Sequence, residues 1–109
     1  MQKEKKDLSL LLDYYGAFLT EKQRELLKMS ADEDMSLSEI AEVEGVSRQG
    51  VRAVIINAEK KLSGFEEKLG LIARDKELNR LLSELEEANL SGDVRGVKKA
   101  ADSIRSVIG

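Results

Sequence analysis

The sequence predicts an all-α protein, a helix-turn-helix domain with a long helix and a C-terminal helical extension. Three observations lead there. Proline is absent, so no pyrrolidine ring interrupts a helix. Alanine, leucine, glutamate and lysine dominate the composition, and all four favour helix. Aromatic residues make up only 4%, too few for a typical β-sandwich core. With 109 residues, 41% of them hydrophobic and 36% charged, the chain has the size and balance of one small soluble domain.

The helices follow in order. "DLSLLLDYYGAFL" (7–19) spaces Leu8, Leu11, Leu12, Tyr15 and Leu19 as one helical face, with Asp7 as its expected cap. "TEKQRELLKMS" (20–30) opens on Thr20 and Gln23, the spacing of a capping box, and offers Leu26, Leu27 and Met29 as its buried side. "SLSEIAEVEG" (36–45) begins with a second capping box, Ser36 and Glu39, and ends at Gly45, which tolerates the left-handed conformation of a helix C-terminus. Val46 is then expected in the core, and Ser47 caps a long helix. Val51, Ile55, Ala58, Leu62, Phe65, Leu69 and Ile72 run along it at alternating steps of four and three, a heptad seam. That seam either closes within one chain or joins two; in a parallel dimer Lys61 would face Glu66 of a second copy. Residues 75–90 repeat the pattern with Leu78, Leu81, Leu82, Leu85 and Ala88. "SGD" (91–93) is a turn, and a last helix carries Val94, Val97, Ala101, Ile104 and Ile108. The expected division is a helix-turn-helix domain over 1–62 and, over 63–109, an extension continuing the long helix, whose last two segments either fold back on that helix or complete a dimer.

Residues 37–56 fit the twenty-position helix-turn-helix pattern. Ile40 and Ala41 fall where the first helix packs closely on the second, Gly45 makes the turn, and Val51 and Val54 return to the core. Glu44 departs from the pattern, which often has an apolar residue there. The positions free to face a groove are Ser47, Arg48, Gln49, Gly50, Arg52, Ala53, Ile56 and Asn57. Arginine reads guanine and glutamine reads adenine through paired hydrogen bonds. The Ser47 hydroxyl and the helix N-terminus suit a phosphate, and Ser36 and Ser38 are candidates for further phosphate contacts. Against this, residues 36–62 hold four basic and four acidic residues. The whole chain carries net charge −3, whereas duplex binding draws on phosphate neutralisation.

Other chemistries are poorly provided for. Cysteine and histidine are both absent, which removes disulfides, thiolate metal sites and the commonest general base. Neither catalysis nor a cofactor or metal is expected. The acidic loop "ADEDMSLSE" fails as a calcium loop, because Asp32 as first ligand would put Leu37 at the glycine and Val43 at the glutamate. No apolar run is long enough to span a membrane, and "MQKEKKDLS" lacks the apolar core of a signal peptide, so the expected location is cytoplasmic.

"LLLDYYGAFLTEKQRELL" followed by "SLSEIAEVEGVSRQGVRAVIINAEKKLSGFEEKLG" resembles the YlxM-type family of bacterial helix-turn-helix proteins, over about two-thirds of the chain. "LDYYGAFLTEKQ" carries most of the likeness, since a generic helix-turn-helix protein does not need it. More distantly, "VSRQGVR" is similar to the promoter-recognising fourth region of σ factors, within the winged-helix-like superfamily. The resemblance implies that Arg48, Gln49 and Arg52 face the groove; Gly50 and Arg52 stand where family members more often carry alanine and tyrosine. It also implies a link to the signal recognition particle, beside whose GTPase and receptor such proteins are commonly encoded. Two readings follow. One is a dimeric regulatory protein binding double-stranded DNA through Ser36, Ser38, Ser47, Arg48, Gln49, Arg52 and Asn57. The other is an accessory module that binds the protein or RNA of the signal recognition particle, with no specific DNA binding.

Overall fold

The structure, a computed structural model, describes residues 5–109. Residues 1–4, the start of the "MQKEKKDLS" segment weighed as a signal peptide, lie outside the described residues. Among the described residues there are six α-helices and no strand: α1 (Lys5–Tyr15), α2 (Glu21–Ala31), α3 (Leu37–Glu44), α4 (Arg48–Leu69), α5 (Leu71–Leu90) and α6 (Val94–Ile108). A single 3-10 turn, Gly16–Phe18, follows α1. The fold is all-α, as expected.

Two compact units divide the chain, Met1–Leu69 and Gly70–Gly109. The break falls later than the expected 62/63 boundary, because residues 63–69 complete α4. The long helix continues past residue 62 only as far as Leu69: Gly70 takes φ +61°, a left-handed conformation that ends α4 and precedes α5.

In the first unit α1, α2 and α3 each pack on α4. Leu8, Leu11, Leu12, Tyr15 and Leu19 are all buried, as their spacing requires, together with Leu26 and Leu27 of α2 and Ile40 and Ala41 of α3. Asp7 is exposed within α1 rather than capping it. Val51, Ile55, Ala58 and Leu62 are buried too, so the first part of the heptad seam closes inside the chain. Farther along α4, Phe65 packs on Tyr15 and Phe18, with ring centroids 6.0 and 5.1 Å apart. Lys61 and Glu66, which would face each other in a parallel dimer, both make contacts within the chain. Lys61 Nζ donates to Gln23 Oε1 (3.4 Å), and the Tyr15 hydroxyl donates to Glu66 Oε1 (2.5 Å).

In the second unit α5 and α6 form an antiparallel hairpin. Asp93 caps α6 by accepting a hydrogen bond from the Gly96 N–H (2.9 Å). Gly96 lets the helices approach: a Cβ there would meet the Asp93 carboxylate and come within 3.1 Å of the Ala88 Cβ. Among the described residues no helix is long and apolar enough to cross a membrane, and no group of three or more acidic side chains is placed to hold a metal ion.

Candidate nucleic-acid interface

The helix-turn-helix is built by local signals. Ser36 Oγ accepts from the Glu39 N–H (3.1 Å) and Glu39 Oε1 accepts from the Ser36 N–H (3.2 Å), so the capping box starts α3 as expected. The helix ends at Gly45 with φ +68°, and the Val46 N–H donates to the Ala41 carbonyl (3.1 Å), closing the turn. Ser47 then starts α4, its Oγ accepting from the Gly50 N–H (3.0 Å). Val46 does not drop into the core; it remains 49% exposed, while Ile40, Ala41 and Val51 on either side of the turn are buried. Val54 is half-buried.

Every residue assigned to the interface is exposed: Ser36, Ser38, Ser47, Arg48, Gln49, Arg52 and Asn57. Two of the serines are already acceptors for their own helices, which leaves their O–H groups to donate to a phosphate oxygen. Arg48 and Arg52 lie one turn apart and form no hydrogen bond or ion pair among the described residues. They are also the only charged residues between positions 48 and 58, so the leading turns of α4 are cationic although the motif as a whole is neutral. The buried row Val51, Ile55, Ala58 and Leu62 fixes which way the helix faces. At about 100° per residue, Gln49, Ala53, Ile56 and Asn57 occupy the outward side. Arg52 stands at its margin and Arg48 nearer the buried row, about half a turn round the axis from Asn57. The fold therefore gathers Gln49 and Arg52 but does not bring Asn57 to Arg48.

The acidic residues are partly withdrawn from this surface. Glu39 is used in its capping box, and Glu44 reaches Lys22 of α2 at 2.5 Å, its side chain only 14% exposed. The hydrogen bond to Glu44, and then its charge, raise the Lys22 ammonium above 10.5. Glu44 stands out of pattern in the sequence, but its partner lies 22 positions earlier, where no local signal points to it. The contact between Phe18, 62% exposed, and Phe65 was likewise not legible from spacing.

The likeness to known proteins covers more than two-thirds of the chain. Residues 2–101 match the family described as "Putative helix-turn-helix protein, YlxM / p13 like". UPF0122 protein STH1464 of Symbiobacterium thermophilum is 40% identical over 104 residues, covering 95% of this chain and 97% of its own. UPF0122 protein Teth514_1714 of a Thermoanaerobacter species is 47% identical over 78 residues, 72% of this chain and 67% of its own. UPF0122 protein NT01CX_2214 of Clostridium novyi is 31% identical over 105 residues, 93% of this chain and 91% of its own. With its helix-turn-helix intact and its length matched nearly end to end, the chain belongs to the UPF0122 family of YlxM/p13-like helix-turn-helix proteins.

Proposed function

We propose that this protein is a cytoplasmic DNA-binding regulator that acts as a homodimer and lays the first three turns of α4 in the major groove. One observation carries the reading. Arg48 and Arg52 form an exposed cationic pair with no partner among the described residues, on a helix whose N-terminus and Ser47 cap face the same solvent. Cationic side chains left uncommitted are available to phosphates and to guanine edges, while Gln49 between them suits adenine. The reading assigns binding and no catalysis. Its test is selection from a random duplex DNA pool at low and near-physiological salt. Enrichment of a motif that survives the higher salt, and its loss in Arg48→Ala/Arg52→Ala, is the expected outcome. Binding that enriches nothing and disappears with salt is backbone contact alone and sinks the reading.

A second reading places the same fold in the signal recognition particle pathway, as the family resemblance implies, bound to the particle's protein or RNA. The exposed Phe18 beside Phe65 favours it, because such an apolar pair adds nothing to phosphate binding and suits a protein partner. Binding to the isolated GTPase that Phe18→Ala abolishes and Arg48→Ala/Arg52→Ala leaves intact is its signature.

A further inference from the structure

The α5–α6 hairpin has an apolar face that its own contact does not cover. Gly96 of α6 packs against Ala88 of α5, and the buried Leu81 and Ala100 share the helix faces of Ala88 and Gly96 respectively, so they mark the sides the two helices turn to each other. The helices run antiparallel, so the residues one step after them, Leu82 and Ala101, turn to the same side of the hairpin. Along α6 that side is the row Val94, Val97, Ala101, Ile104 and Ile108, at steps of three and four. It is half-exposed at its centre and open at its ends, with Val94 80% and Ile108 61% exposed; on α5, Leu82 is 43% exposed.

Charge says what covers it. α5 has three basic and five acidic residues, a net −2, whereas α6 has four basic and one acidic, a net +3. The two edges of the face are thus of opposite sign. Glu86 borders it on α5 and Lys98 on α6. Gly96 sits against Ala88; two residues back from Ala88 is Glu86 and two on from Gly96 is Lys98, so the pair stands at one height along the hairpin.

We infer that this face binds a second copy of the chain, as a four-helix bundle whose two-fold axis runs along the helices. That operation sets α5 of one copy on α6 of the other, acidic on basic, and brings Glu86 opposite Lys98 of the second copy at both ends of the symmetry. An axis across the helices would instead stack α5 on α5 and α6 on α6, like charge on like. The interface is isologous, and Val51, Ile55, Ala58 and Leu62 of the heptad seam, already buried within the chain, have no part in it.

The inference rests on the dimeric half of the function proposed above and is independent of what α4 reads. Sedimentation equilibrium of the full chain tests it. The wild type is expected to be dimeric at micromolar concentration; Glu86→Lys and Lys98→Glu each weaken the dimer about tenfold or more, since each sets like charges opposite one another twice. Combining the two restores it to near the wild-type constant. Leu82→Lys, at a position already exposed in the single chain, gives a monomer with unchanged helical circular dichroism. A monomeric wild type overturns both this inference and the dimeric reading. A wild-type dimer whose single charge reversals are silent, or are not rescued by the double swap, overturns the inference alone.

Discussion

Lys22 Nζ stands 2.5 Å from Glu44 Oε1, tying the first turn of α2 to the last residue of α3. The contact accounts for a glutamate at a turn position where the helix-turn-helix pattern often has an apolar side chain: the carboxylate is sheltered and its charge is met by the ammonium. Because the folded-state pKa of Lys22 lies above 10.5, the stabilisation is complete below that pH and is lost as the pH rises through the raised value. Lys22→Ala should therefore be less stable than the wild type by a constant amount from about pH 6 to 9, and the gap should close only above the ordinary lysine value. Urea unfolding of both proteins across that range is the measurement. A gap that persists unchanged into strong alkali would mean the ammonium charge is not its source.

The Tyr15 ring is fully buried against Phe65, while its hydroxyl reaches the half-exposed Glu66. Packing and hydrogen bonding can be separated here. Tyr15→Phe keeps the ring and removes one donor, at a cost of about 1 kcal/mol, since water can reach the carboxylate in its place. Tyr15→Ala also empties the space between α1 and α4 and should cost about 3–5 kcal/mol. Denaturant unfolding that put both variants at the same midpoint would show that the ring's burial contributes nothing beyond the hydroxyl.

Gly45 holds φ +68°, yet a Cβ built there meets nothing within 4 Å. Substitution is penalised by backbone strain alone, not by a clash. Gly45→Ala should lower stability by about 1–2 kcal/mol, and Gly45→Asn by less, because asparagine visits the left-handed region more readily. Equal losses for the two in thermal unfolding would point to a contact other than the backbone conformation.

What could be read from sequence was local. The Thr20–Gln23 and Ser36–Glu39 capping boxes and the Gly45 stop each involve groups within a few residues, so their chemistry is printed in the sequence itself. The limits lay where distant contacts decide. The three-and-four spacing runs unbroken from Val51 to Ile72, but periodicity carries no information about a backbone break, and Gly70 ends the helix between Leu69 and Ile72. Val46 matched its pattern and is nonetheless half outside, while its neighbours Ile40, Ala41 and Val51 are buried. At the candidate interface the exposed residues were legible, since they are what remains once the buried row of α4 is assigned. That Asn57 lies across the helix from Arg48 follows from the rotation that their spacing on one helix sets by itself.

That rotation divides the labour between the two arginines. Arg48 is the first residue of α4 and lies round the axis toward the buried row, where a groove wall of phosphates would pass. Arg52 lies between Arg48 and Gln49 round the axis, closer to the outward side and so to base edges. Arg48→Ala should then weaken DNA binding about equally for all sequences and reduce the salt slope by about 0.9 for each phosphate no longer neutralised. Arg52→Ala should cost about 1–3 kcal/mol on the selected site and far less on unrelated duplex, relaxing the preference at one base pair. Fluorescence anisotropy with specific and scrambled duplexes, titrated over a range of salt, separates the two. If Arg48→Ala altered base preference while Arg52→Ala changed only the salt slope, α4 would enter the groove rotated from the orientation its buried row implies.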